Sequence, residues 1–299
     1  MRLTNHAVGM PFEAFHRDRI QIPLVVNRHL LMGERDAVQN RRPSTELKFA
    51  IKYYDHRDAR AVRRFLGAVE EMITRKGVKE VVEMGAVARL RSLLLKDDLK
   101  LVFDTMCVIV QAVSRDPKGL FSGELIGEDG LDILLNMMMI DEKPGSDRMV
   151  NAAREQYGKM IRGNALYIIG YVIGNGFAKG IMDPEMVKLL LERSIDSDPV
   201  SRGNALFCFR MAIESDPNHL FDFENMFART LEMLMEGDEG VREEAVRLVQ
   251  ICLERNIVPG ECIGDISSVI GELSGSGNHE TAKAAESILY ILKERGFFG

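Results

Sequence analysis

The sequence predicts an all-α chain, a solenoid of paired helices with a repeat of about 40 residues. Three observations carry that expectation. The pentapeptide RGNAL stands at 162–166 and returns at 202–206. Ala165, Ala205, Ala245 and Ala285 keep a strict 40-residue period, and Arg162, Arg202 and Arg242 keep it too. The segments around them, RGNALYIIGYVIG, SRGNALFCFRMAI, VREEAVRLVQICL and TAKAAESILYILK, all space their apolar residues as one face of a helix does.

Taken in chain order, residues 1–57 read as a basic lead-in or cap and residues 58–299 as the repeat domain. Residues 1–64 hold 13 Lys and Arg against 7 Asp and Glu, while the remainder holds 26 against 38. An acidic body of this kind repels phosphates, so no direct nucleic-acid partner is expected. YYDHRDARAVRRF at 53–65 is the densest polar-aromatic stretch of the chain. It reads either as a dock for an acidic peptide or as a cap helix with a wet basic side. NRRPS at 40–44 sets two arginines ahead of Ser44, a spacing that suits a basophilic kinase.

Further along, LKLVFDTMCVIVQAVSRDP at 99–117 matches VSRGNALFCFRMAIESDP at an offset of 100 residues, two and a half periods. An insertion must lie between them, and DEKPGSDRMVNAAREQYGKM at 141–160 fits as a loop followed by helix-forming residues. Second helical runs are expected near 127–139, 183–195, 223–236 and 262–273. Asp183-Pro184 and Asp238 suit helix starts, because Asp accepts orphan amide hydrogen bonds and Pro loses nothing at the first helical position. IDSDP at 195–199 and EGDEG at 236–240 then separate one pair from the next.

SDPVSRGNALFCFRMA and EGDEGVREEAVRLVQICL resemble the first long helix of armadillo and HEAT repeats, whose usual form is an acidic turn, a Val-Arg pair, an alanine and an apolar series. VKEVVEMGAVARLRSLLL at 78–95 is similar to the armadillo passage in which a Gly-Ala turn opens the final helix, and GEDGLDILLNMMM at 127–139 is a looser version. The resemblance covers roughly residues 58–296. It implies a right-handed α-α superhelix, an armadillo-like solenoid, and arginines at 162, 202 and 242 that meet acidic groups in neighbouring turns, with Asp198 and Asp238 as the expected partners. The alanines need no family name. Where helices of successive repeats cross closely, a larger side chain would overpack the contact at a cost of about 1–3 kcal/mol, so Ala165, Ala205, Ala245 and Ala285 mark repeat joints.

Catalytic chemistry finds little support. GNGFAKG at 174–180 has the glycines and lysine of a phosphate loop but follows a helix instead of a strand, and reads as a helix-to-helix turn. The six histidines are scattered, without metal-ligand spacing, and Cys208 and Cys252 sit among apolar residues as ordinary buried thiols. No cofactor or metal is implied. Four separated cysteines and no signal-like apolar run point to the cytoplasm, and no stretch is long enough for a membrane span.

The expected function is therefore a non-catalytic adaptor or scaffold that binds a protein or peptide along an extended face. A structural subunit or assembly chaperone of a larger complex is the alternative, and an enzyme with a pocket built by the 141–160 insertion is a third. The second helices are expected to line the inner surface, which makes Arg89, Asn136, Lys188, Glu192, Arg229 and Glu232 the candidate partner-binding residues. Armadillo carriers of nuclear import clamp peptides with repeated Trp-Asn pairs. This chain has no Trp, which sets that role well below a general adaptor.

Overall fold

The computed structural model describes residues 43–297 apart from 128, 141–147, 217–222, 236, 237, 259 and 276. Most of the basic lead-in and the 141–147 part of the insertion lie outside the described residues. Every regular element among the described residues is helical. Six longer helices carry the 40-residue phase: α2 (Ala59–Arg75), α5 (Leu99–Val113), α8 (Arg148–Val172), α11 (Pro199–Ser215), α13 (Glu239–Glu254) and α15 (His279–Glu294). Shorter partners precede five of them: α4 (Ala86–Leu94), α7 (Gly130–Met138), α10 (Pro184–Ser194), α12 (Phe223–Leu234) and α14 (Ile263–Leu273). The remaining pieces are α1 (Pro43–Lys52), which packs on α2, and the very short α3 (Val78–Glu83), α6 (Leu120–Ile126) and α9 (Ala178–Ile181). These last three turn the first units into triplets where the sequence suggested pairs.

The long helices start where they do because of their caps. Asp58, Asp98, Asp198 and Asp238 each accept a hydrogen bond from a backbone amide of the first turn, and Asn278 does the same for Thr281. Positions 198, 238 and 278 lie 40 apart, as do 58 and 98. The phase is thus written in helix starts as well as in alanines. At the equivalent position 158 stands a glycine, and α8 runs straight through it from Arg148. The helix-forming half of the insertion is an N-terminal extension of α8.

The alanines at 165, 205, 245 and 285 are completely buried. Each long helix lies along the next, α5 on α8, α8 on α11, α11 on α13 and α13 on α15. The short helices pack on the long helix that follows them but touch one another only lightly. In a curved two-layer stack the inner layer has the shorter path, so its helices crowd together while the outer ones splay. The long helices form the close-packed row that joins one repeat to the next, called the inner row from here on. The second helices, expected to line the inner surface, form the looser row; both layers are amphipathic, and only the packing between repeats tells them apart.

Candidate functional site

Polar groups cross the joints of the inner row at nearly one repeat length. Asn204 Nδ2 donates to the Gly163 carbonyl at 2.8 Å, Cys208 Sγ–H to the Leu166 carbonyl at 3.1 Å and Ser215 Oγ–H to the Ile173 carbonyl at 3.2 Å. Gln111 donates to Glu70, and Arg255 to the Glu214 carbonyl at 3.1 Å. Arg162, 4% exposed, belongs to this set. Its Nε donates to Ser201 Oγ at 3.1 Å, and one terminal nitrogen lies 3.2 Å from Asp196. Arg202 donates to the Asp196 carbonyl at 2.8 Å, and Arg242 is half-buried at the equivalent place on α13. Asp198 and Asp238 use their carboxylates to cap α11 and α13. The Asp198 carboxylate accepts from the Ser201 hydroxyl at 2.8 Å, and that hydroxyl in turn meets Arg162.

At the middle of the inner row three aromatic rings meet. Tyr167 stacks on Phe207 at 5.2 Å between centroids, Tyr171 lies 5.3 Å from Phe207, and the two tyrosine hydroxyls are 3.3 Å apart. Phe207 is buried and both tyrosines are half-buried, so the tyrosines present one side to solvent over a phenylalanine floor. Gly170 permits this. A Cβ there would stand 2.4 Å from the Phe207 ring. Burial, with Tyr171 alongside, pushes the Tyr167 hydroxyl pKa well up, so it stays a neutral hydrogen-bonding group.

Beside the rings sits an ionic group. The Arg210 guanidinium lies 5.2 Å from the Phe207 centroid, 2.5 Å from Glu244 and 2.7 Å from Glu214. Burial alone would lower the Arg210 pKa, but the two carboxylates more than offset it and hold it up. One turn away, Arg247 pairs with Glu243 at 2.7 Å. Together these side chains spread over α8, α11 and α13, a surface with aromatic, cationic and anionic groups in one strip.

The six residues expected to bind a partner stand on the other row. Arg89 on α4 is half-buried, with its guanidinium 5.9 Å from the Tyr54 ring. Asn136 on α7 and both Lys188 and Glu192 on α10 are exposed. Arg229 and Glu232 on α12 are brought together as an ion pair at 2.5 Å. These residues form no single cluster. The strip on the inner row went unnoticed in the sequence, although a signal was present: Tyr167, Phe207, Arg247 and Ser287 share one column of the 40-residue period, two residues after the joint alanine.

The other chemical candidates resolve as packing. GNGFAKG follows α8 directly as a wide helical turn, with Gly176 at φ 102°, and leads into α9. All four cysteines are free thiols. Burial pushes Cys107 up to about 12 and raises Cys208 and Cys252 further, the opposite of an activated nucleophile. No described helix is long and apolar enough to cross a membrane.

No family model matches the chain, and no curated protein matches it. Solved structures do. A computationally designed armadillo repeat protein for modular peptide recognition aligns with a TM-score of 0.58 at 15% identity, covering 82% of this chain and 99% of the other. An engineered protein aligns at 0.61 and 15% identity, over 83% and 99%. A designed armadillo repeat protein in complex with the peptide (KR)4 aligns at 0.58 and 14%, over 82% and 99%. At such identities the likeness shows the fold: an all-α, armadillo-like solenoid.

Proposed function

We propose that the protein is a non-catalytic adaptor that holds a segment of a partner protein along the inner row of long helices. The observation that carries this reading is the strip of Tyr167, Tyr171, Phe207 and Arg210, side chains from successive repeats set on one rigid face. Aromatic rings give large contact area at low entropic cost, and the arginine beside them, held by Glu214 and Glu244, fixes the Phe207 floor in place. The fold supports it as well, since the aligned designs are described as recognising peptides. The cytoplasm, where free thiols persist, is part of the same proposal.

The test is selection of peptides from a display library on the full chain, followed by affinity measurement on variants. A Tyr167→Ala, Tyr171→Ala double variant should weaken the selected peptides about tenfold or more. A Lys188→Glu, Arg229→Glu variant on the outer row should leave them unchanged. The reverse pattern would move the binding face to the short helices, and a library that yields no binder would sink the adaptor reading.

A further inference from the structure

Many arginines further along the repeat body are paired. Arg75, Arg162, Arg193, Arg210, Arg229 and Arg247 each lie within ion-pair distance of a carboxylate. The corner formed by α1 and the start of α2 is different. Lys48, Lys52, Arg57, Arg60, Arg63 and Arg64 are all exposed, and none forms an ion pair among the described residues. Of the local carboxylates, Glu46 is buried on α1, and two are engaged by backbone: Asp55 accepts from the Arg57 amide at 2.9 Å and Asp58 from the Arg60 amide at 2.8 Å.

Two exposed aromatic rings lie within this cationic corner. Phe49 and Tyr53, 36% and 56% exposed, stand one turn apart on α1 with centroids 4.5 Å from each other. The Arg64 guanidinium lies 5.8 Å from the Phe49 ring and the Lys52 ammonium 5.3 Å from the Tyr53 ring. The corner thus offers an apolar floor ringed by unpaired cations, in a protein whose net charge is −6.

The geometry points to this α1/α2 corner as a second docking surface, one that takes a short acidic segment of a partner protein carrying an apolar or aromatic residue. Charge complementarity selects the occupant. Residues 1–42 are a poor match, because they hold seven arginines against four acids and bring net like charge. A long polyanion or an anionic membrane plane fits poorly as well. The cationic stretch is confined to residues 48–64, and α2 and α3 continue with Glu70, Glu71, Glu80 and Glu83. A short acidic segment ends before it meets those carboxylates. This surface is separate from the inner-row strip, so either can fail alone.

The test uses the full chain and a fluorescein-labelled peptide of alternating Glu and Gly with a central Trp. The expected result is saturable binding that weakens with salt and is absent for the Gln version of the peptide. An Arg60→Glu, Arg64→Glu variant should raise Kd about tenfold or more, and Arg60→Lys, Arg64→Lys should restore it. Glutamate suits the first turns of a helix, so α2 should tolerate the reversal, and circular dichroism checks that it does. A Phe49→Ala, Tyr53→Ala variant should bind more weakly with an unchanged salt dependence, the mark of a lost apolar floor. No peptide binding, or binding indifferent to charge reversal, overturns the proposal. So does tighter binding of oligodeoxythymidylate or phosphatidylserine vesicles through the same arginines, or self-association in sedimentation that the reversal abolishes.

Discussion

At the residue scale, Glu244 shows how tightly the inner row is tuned. It is 3% exposed; one carboxylate oxygen meets Arg210 and the other has no hydrogen-bond partner. Removing Arg210 leaves an uncompensated buried charge, so Arg210→Ala should destabilise the fold by about 3–5 kcal/mol. Arg210→Met with Glu244→Leu should recover most of that loss, because it removes both charges and keeps the volume. Denaturant melts of the single and double variants check this, and a double variant as unstable as the single would contradict it. Little of this was legible beforehand. Arg210 and Glu244 are 34 residues apart, and only the joint between α11 and α13 brings them together. The alanines were legible because a small residue recurring at a fixed interval has few other physical causes.

At the element scale, the caps set where each long helix begins. Asp98→Ala and Asp238→Ala should each lower stability by about 1 kcal/mol, the usual worth of an N-cap. Asp198→Ala should cost more, since its carboxylate also accepts from the Ser201 hydroxyl that Arg162 contacts. A shift in urea midpoint at constant slope would report this; equal shifts for all three would deny the link through Ser201. Asp183 and Asp238 were readable as helix starts, while Asp198 and Asp238 were both expected to answer arginines. An acid four residues before an arginine fits both roles until the backbone turn is seen. The short α3, α6 and α9 escaped notice because four to seven residues hold too little of the helical period to stand out.

At the scale of the whole molecule, the repeat made the fold class legible, since its phase agrees across helices, turns and joints. The inner face was not legible. Curvature arises from packing between repeats, and each helix alone shows only that one side is apolar. The groups that cross the joints have a further consequence. Asn204 to Gly163, Cys208 to Leu166 and Ser215 to Ile173 all span 41 or 42 residues, so each rung ties a repeat to its immediate neighbour. Tension applied to the two chain ends would then load the rungs in series, not in parallel. Stretched between beads in an optical trap, the protein should lengthen in a staircase, releasing one repeat at a time at modest force, and should rewind along the same staircase when the tension is relaxed. A single abrupt rupture of the whole chain would show that the joints share the load. Such a molecule is a spring as much as a scaffold: its end-to-end length yields to a pull while the repeats that have not yet given way keep their contact surfaces intact.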